Sequence, residues 1–344
     1  MKFAKLSAVV SLVALAFSSG TVLAAEDFYR GKTITIYCSG EGTYDAYARL
    51  FAKIMPRYIP GTPNIIVKTM SGASGLQATN YLYNVAPKDG TEIGAVHGQI
   101  PTSPFLDPSG VRYDPTKVGW IGSATQEVYL GYMWHTSPVL TLDDALTKEA
   151  AVGGAAVGSF SIDMPLLMNE LIGTKFKVIT GYQGSPEAIY AVERQETNGH
   201  IGITYTNLSR SRPDWLPQKK INILAQFGLQ KHKDMPDVPV AVDYAKGENK
   251  PALELYLARQ MTARPYLAPP GIPADRLQIL RTAFESAFKD PEFAADAIKA
   301  KFDITEPMNG EQLQAFVGRM SSIDKNAVDR LTQAFAKFRQ TEKK

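Results

Sequence analysis

Apolar positions along the chain alternate between two spacings. Short apolar runs such as "TITIY" (33–37), "NIIVKTM" (64–70) and "EIGAVHG" (92–98) predict strands. Between the first two runs, apolar side chains recur three and four residues apart and predict a helix: Tyr47, Leu50, Phe51, Ile54, Met55 and Tyr58. Strands that alternate with helices predict an α/β fold with a mainly parallel sheet and helices on both faces.

The same alternation restarts in the middle of the chain. Four more runs predict strands, with helices between them: "AAVGGAAVGS" (150–159), "FKVIT" (176–180), "HIGITYT" (200–206) and "INILAQFG" (221–228). The stretch "ARQMTARPYLAPPG" (258–271) is typical of a strand that leaves into a loop, and three or four helices are predicted over 274–339. Two α/β halves in one chain predict two lobes around a cleft.

The first 24 residues have the features of a secretory signal peptide. Lys2 and Lys5 precede the apolar stretch "LSAVVSLVALAF", and "VLA" places small residues before a cleavage point after Ala24. Twelve apolar residues are too few to cross a bilayer as a helix, for which about 20 are needed. We therefore expect residues 1–24 to be removed and the mature chain to be periplasmic.

Charge and cysteine content exclude several classes of function. Without residues 1–24 the chain carries 35 basic and 34 acidic side chains, so no strong field favours nucleic acid. Cys38 is the only cysteine, and the four histidines lack metal-ligand spacing, so we expect no disulfide, no metal and no cofactor. In "GEGTYD" (40–45), Asp45 occupies the third glycine position of a dinucleotide fingerprint, which argues against that kind of site.

Glycine-containing turns follow several of the predicted strands, at 39–45, 71–75, 158–161 and 181–185. Each precedes a predicted helix, whose first amide groups and partial positive charge favour an anion. Ser185, followed by Pro186, and either Ser159 or Ser161 are candidate N-caps of such helices. These turns predict a binding site for a small carboxylate, because strand ends and helix starts gather at one edge of an α/β sheet.

Two segments carry a family resemblance: "GTYDAYARLFA" (42–52) and "KTMSGASGLQATNYLYNVAPKDGT" (68–91). They resemble the receptors of tripartite tricarboxylate transporters, the TctC or Bug family. Asp45 and "ARL" (48–50) match the first motif of that family, and "SGASG" (71–75) matches its Pro-Gly-Ala-Gly-Gly motif. Later stretches are similar too: "GYQGSPEAI" (181–189), "MPDVPVAVDY" (235–244) and "LAPPGIPADRL" (267–277).

The resemblance implies a two-lobe periplasmic binding protein of the Venus-flytrap, type II-like kind. It would bind an organic acid in the inter-lobe cleft and deliver it, as a monomer, to a permease of two integral-membrane subunits. The expected lobes are 25–124 with 229–344, and 125–228. The residues expected to face the ligand are Thr43, Tyr44, Asp45, Gly72, Ala73, Ser74, Ser159, Tyr182, Gln183 and Gly184, and His97 is expected near the cleft.

One departure from the family pattern limits the class of ligand that we expect. Gln183 stands where the family commonly has lysine, which favours a mono- or dicarboxylate, including an aromatic one, over a tricarboxylate. Two alternative functions stay open at this point: a ligand-sensing subunit for a membrane histidine kinase, and an exported serine hydrolase that would use Ser74 or Ser159. Since no His/Asp constellation accompanies either serine, we expect a protein that is not an enzyme.

Overall fold

The protein is described here from a computed structural model that covers residues 28–39, 43–106, 108–155, 159–182, 184–232, 234–300, 302 and 307–341. The predicted signal peptide, residues 1–24, lies outside the described residues. Contacts divide the chain into two units. The first unit contains the described residues through Thr125 together with Ala263–Arg319, and the second contains Gln126–Thr262 and the described residues from Met320 onward.

Each unit contains one sheet. The strands of the described residues are β1 (Thr33–Cys38), β2 (Asn64–Thr69), β3 (Glu92–Ala95), β4 (Gly119–Ser123), β5 (Tyr129–Trp134), β6 (Ala150–Gly153), β7 (Phe176–Ile179), β8 (Gly199–Thr204), β9 (Ile221–Phe227), β10 (Pro265–Ala268) and β11 (Met308–Asn309). The strand order is β11-β4-β10-β3-β1-β2 in the first unit and β7-β6-β8-β5-β9 in the second.

Both sheets are mixed, with parallel strands in the majority. In the first unit, β10 runs antiparallel to β3 and β4, and β11 runs antiparallel to β4. In the second unit, β5 runs antiparallel to its neighbours β8 and β9. The α/β fold predicted from the sequence is confirmed, and the inserted antiparallel strands are what the apolar pattern did not predict.

Helices connect the strands of both units. Those of the described residues are α1 (Thr43–Ile54), α2 (Leu76–Asn84), α3 (Ser103–Leu106), α4 (Leu142–Thr147), α5 (Phe160–Leu171), α6 (Ser185–Glu193), α7 (Tyr205–Ser211), α8 (Asn249–Leu257), α9 (Ala274–Lys289), α10 (Pro291–Lys299), α11 (Gly310–Met320) and α12 (Lys325–Thr341). Shorter 3-10 helices cover Met55–Tyr58, Ala73–Gly75, Ala241–Tyr244 and Ala258–Thr262. The last of these replaces the first part of the strand expected over 258–271.

The core of each unit is built from aromatic and aliphatic side chains between sheet and helices. In the first unit, the Phe51 ring of α1 stacks on Phe284 of α9, with ring centres 4.5 Å apart. In the second unit, Tyr132 of β5 meets Trp215 edge-on, with ring centres 5.5 Å apart. These fully buried rings fix the strands whose ends carry the turns of interest.

The observed division of the chain differs from the predicted one. Residues 229–262 and the described residues from 320 onward group with the second unit, whereas the sequence reading placed them in the first lobe. The reason is that α8 and α12 both pack on α5 of the second unit: Asn249 Nδ2 donates to the Leu171 carbonyl at 3.0 Å, and Arg330 Nη2 donates to Glu170 Oε1 at 2.9 Å.

Candidate ligand-binding site

Three parallel strands end side by side at one edge of the sheet in the first unit. β1 pairs in parallel with both β2 and β3, so that Cys38 lies opposite Thr69 on one side and Ala95 on the other. Two backbone hydrogen bonds continue past the strand ends, from Met70 N to the Cys38 carbonyl (2.8 Å) and from Ser39 N to the Ala95 carbonyl (3.0 Å). The turns that follow these strands therefore begin side by side, as a binding edge of an α/β sheet requires.

The second of these turns has a backbone that depends on glycine. Gly72 and Gly75 have φ of 147° and 92°, and Ala73 between them also has a positive φ of 45°. A Cβ atom on Gly75 would lie 3.1 Å from Ser39 Oγ and 3.3 Å from the His97 amide nitrogen. Glycine at this position thus lets the second turn approach the other two. Ser74 belongs to this turn, but its side chain is not among the described atoms.

Tyr44 and His97, both named as candidate site residues from the sequence, lie against each other. Their rings stack with centres 4.2 Å apart and planes inclined by 22°. The Gly98 amide nitrogen also donates to the Tyr44 hydroxyl at 3.5 Å. Thr43 begins the same helix as Tyr44, although its side chain is not described.

Arg264 completes this arrangement and was not a candidate from the sequence. Its guanidinium carbon lies 4.3 Å from the centre of the Tyr44 ring, a cation–π distance. We call Arg264, Tyr44 and His97 the cation–aromatic stack. Arg264 reaches this edge because β10, which it precedes, starts where the parallel strands end: Pro265 lies opposite Ser123, and Tyr266 opposite Ala95.

His97 is neutral in this environment at pH 7. Burial lowers its pKa below the ordinary value, and the nearby positive charge of Arg264 lowers it further, against a smaller opposing effect of a backbone hydrogen bond at Ser39. A neutral imidazole stacks on the Tyr44 ring without adding a second positive charge beside Arg264. The only formal cation of the stack at pH 7 is therefore the guanidinium.

Asp45 is paired with a basic side chain of its own helix. Its two carboxylate oxygens accept hydrogen bonds from Arg49 Nε (2.6 Å) and Nη2 (3.0 Å), one helical turn later. The family resemblance implied that Asp45 faces the ligand. A carboxylate already bound at both oxygens adds little negative charge to this edge.

In the second unit, the turns after β6 and β7 are also adjacent. Gly153 lies opposite Ile179, and beyond the strand ends Gly181 N donates to the Ala155 carbonyl at 3.0 Å. The half-buried Tyr182 lies over the end of β6, where a Cβ atom on Gly153 would be 2.8 Å from Tyr182 Cε2. The absence of a side chain at Gly153 thus makes room for the Tyr182 ring.

The helix starts near these turns differ in detail from the expected caps. Ser159 is the N-cap residue of α5, but its side chain makes no hydrogen bond to a helix amide. Its Oγ lies 3.2 Å from Ser161 Oγ, which also accepts from Ala155 N at 3.2 Å. Gly184, with φ of 98°, is the N-cap of α6, so Ser185 is its first helical residue and not its cap. Gln183 lies outside the described residues.

Two other features of the second unit lie apart from the predicted residues. His200 is fully buried, and its Nδ1 lies within hydrogen-bond distance, 2.8 Å, of the Gly153 carbonyl oxygen, so it holds β8 against β6. Burial lowers its pKa. A groove of about 420 Å³ lies between α6 and α7, lined by Pro186, Ile189, Tyr190, Gly202, Ile203, Asn207, Arg210, Ser211 and Arg212. None of the predicted site residues that the structure describes lines this groove.

Among the described residues, no group of three or more histidine, cysteine, aspartate or glutamate side chains is arranged to bind a metal ion. Within the same residues, every helix is too short or too polar to span a membrane.

Comparison with known structures shows the fold. The chain is similar to a TctC solute-binding protein from Polaromonas, at 16% identity and a TM-score of 0.69, over 89% of this chain and 99% of that one. It is also similar to MatC from Rhodopseudomonas palustris with bound malate (20% identity, TM-score 0.56, 86% and 99%) and to an R. palustris protein with adipate (19%, 0.54, 86% and 97%).

A search of curated protein sequences found no match. A family model described as "Tripartite tricarboxylate transporter family receptor" matches residues 48–332, which is most of the chain. This match confirms the resemblance carried by the motifs at 42–52 and 68–91. The chain belongs to the TctC family of tripartite tricarboxylate transporter receptors.

Proposed function

We propose that this protein is a periplasmic receptor that binds a small organic carboxylate and delivers it to a tripartite tricarboxylate-type permease. The ligand is a mono- or dicarboxylate, aromatic acids included. The receptor acts as a monomer, and its partner is a pair of integral-membrane subunits. It binds its ligand without converting it.

The observation that carries this proposal is the sheet edge of the first unit. There, the start of α1 and the glycine-containing turn after β2 lie at the carboxyl ends of parallel strands. The first amides and the partial positive charge of a helix at such an edge favour an anion. Two proteins of the same fold were solved with malate and with adipate, which are both carboxylates.

The second unit supports the proposal through the turns after β6 and β7. Tyr182 lies over the end of β6, and Ser159 is the N-cap residue of α5, which follows the same strand. That both edges bind one ligand stays a prediction. Among the described residues, Ser159 Oγ is hydrogen-bonded to another hydroxyl, Ser161 Oγ, which is too weak a base to activate a serine nucleophile.

A thermal-shift screen of unfolded, dialysed and refolded protein tests the proposal. Malate, adipate, benzoate and citrate are each compared with the corresponding amide and with sodium chloride at equal ionic strength. A ligand at 100 times its dissociation constant adds about 2.7 kcal/mol to the free energy of unfolding. We expect a shift with at least one mono- or dicarboxylate and none with its amide; shifts only with neutral compounds would contradict the proposal.

Delivery is tested with the two membrane subunits reconstituted in vesicles. Uptake of the labelled acid is expected only when the receptor is added outside. Uptake at the same rate without the receptor would contradict the delivery step and leave carboxylate binding intact.

A further inference from the structure

Arg259 lies on two aromatic rings of the second unit. Its guanidinium carbon is 4.0 Å from the centre of the Tyr256 ring and 5.8 Å from the centre of the Phe160 ring, and both are cation–π distances. Tyr256 is buried in the core, and Phe160 is the first residue of α5. The two rings therefore hold the guanidinium close to the first turn of α5, a helix that begins directly after the predicted site residue Ser159.

The Tyr256 hydroxyl separates Arg259 from an acidic side chain. Arg259 Nη2 donates to this hydroxyl, which in turn donates to Asp163 Oδ2 at 3.3 Å. Burial raises the pKa of Tyr256, so the hydroxyl stays protonated at neutral pH. Asp163 is thus connected to Arg259 through a neutral group, and within the described residues no carboxylate forms a direct ion pair with Arg259.

The guanidinium of Arg259 has hydrogen-bonding capacity left. A guanidinium has five N–H donors in a planar fork, and in the described part of the chain the Tyr256 hydroxyl accepts from one of them. The residue is half-buried, so its charge is partly removed from water. Such a group favours an anion, and a carboxylate matches the fork in shape and charge. Because the rings restrain the side chain, it loses less conformational entropy when an anion binds.

From this geometry we infer that Arg259 binds a carboxylate of the ligand in the second unit and thereby favours acids over neutral compounds. The inference rests on the proposed function, which by itself requires no charged side chain in the second unit. It assigns separate tasks to the neighbouring residues: Phe160 and Tyr256 fix the guanidinium, and the Tyr256 hydroxyl keeps Asp163 from pairing with it directly.

The inference is tested by calorimetric titration of the wild-type chain and Arg259→Gln with malate, adipate and benzoate. A hydrogen bond to a charged group corresponds to about a 10- to 100-fold change in dissociation constant. We expect Arg259→Gln to weaken the binding of each acid that the wild type binds by this factor. Arg259→Lys keeps the charge but loses the planar fork, so we expect a smaller loss, about 3- to 10-fold.

Arg212→Gln is the matched control. Arg212 belongs to the same unit and also lies on aromatic rings, 5.0 Å from the centre of Tyr190 and 5.5 Å from that of Trp215. Unlike Arg259, it donates to both carboxylate oxygens of Glu193, each at 2.8 Å. The acid affinity of Arg212→Gln is expected to equal that of the wild type. The control thus separates a local effect of Arg259 from the change in net charge.

Chemical modification of the wild-type chain keeps the inference testable if the Arg259 variants do not fold. Butanedione modifies arginine side chains, and mass spectrometry of the peptides gives the rate at each arginine. Malate, adipate or benzoate, whichever binds, is added at ten times its dissociation constant, which leaves about one chain in eleven without ligand. Modification of Arg259 should then slow about tenfold, whereas Arg212 should react at the same rate as without the acid.

Two results would overturn the inference while the proposed function stands. One is an unchanged acid affinity in a folded Arg259→Gln protein, and the other is modification of Arg259 that the bound acid does not slow. If the wild type binds none of the three acids, the proposed function fails, and the inference fails with it.

Discussion

Adding one methyl group at Gly75 tests how closely its turn approaches Ser39 and His97 in the first unit. Gly75→Ala places a Cβ atom 3.1 Å from Ser39 Oγ and 3.3 Å from the His97 nitrogen, and it forces alanine to a φ of 92°. The left-handed backbone costs about 1–2 kcal/mol. Overpacking at these two contacts costs a further 1–3 kcal/mol, roughly. We therefore expect Gly75→Ala to lower the free energy of unfolding by about 2–5 kcal/mol.

Gly173→Ala is the matched control for the backbone term. Gly173 has a φ of 93°, and a Cβ atom there would have no heavy atom within 4 Å. The free energy of unfolding of Gly173→Ala should therefore fall only by the backbone cost, about 1–2 kcal/mol. Urea denaturation followed by circular dichroism measures both variants. Equal losses would refute the conclusion that Gly75 is required by the contact of the second turn with Ser39 and His97.

Three further predictions concern single side chains. Because the pKa of His97 in the folded chain is below its ordinary value, the unfolded chain binds more protons, and stability falls as pH drops below about 6.5. Arg264→Gln should raise the pKa of His97, measured by NMR titration, and make stability fall less at low pH. An unchanged pKa would contradict the proximity of Arg264 to His97. Cys38, the only cysteine and fully buried, should react with dithionitrobenzoate only when the first unit unfolds, and rapid reaction of the native protein would contradict its burial. Gly153→Ala should displace the Tyr182 ring and weaken acid binding about fivefold, the equivalent of about 1 kcal/mol, whereas unaltered affinity would remove Tyr182 from the site.

Much of the fold could be predicted because its signals are local. The strand at 33–38 and the helix at 43–54 are confirmed, as are the strand, glycine turn and helix at 64–84, since apolar spacing and glycine act over a few residues. β4 and β5 were not predicted. β4 contains two glycines in five residues, which weakens its apolar pattern, whereas β5 (YLGYMW) is a short apolar run that the sequence reading passed over.

The grouping of residues along the chain depends on distant contacts. Residues 249–257 belong with the second unit because α8 packs on α5, where Asn249 Nδ2 donates to the Leu171 carbonyl, 78 residues earlier in the chain. A family resemblance gave the presence of two lobes but could not give this contact. Packing between distant amphipathic helices leaves no mark in either sequence segment alone.

The candidate site shows the same limit. Tyr44 and His97 were both named from their turns, but their stacking brings together residues 53 positions apart. Arg264 was missed because its position depends on the direction of β10. Had that strand run parallel, its first residue would lie at the opposite edge. A basic residue directly before a strand, as in "TARPYLA" (262–268), is the only signal the sequence offers, and it becomes informative once the strand direction is known.

The most direct test of carboxylate binding is calorimetry on refolded, ligand-free protein, with the acid that gives the largest thermal shift and with its fully amidated analogue. NMR of the same solution afterwards shows whether the acid has been altered. We predict one acid bound per chain, no heat with the amide, and an unchanged acid after prolonged incubation. Equal binding of the amide, or conversion of the acid to a product, would contradict the conclusion that this chain is a carboxylate receptor.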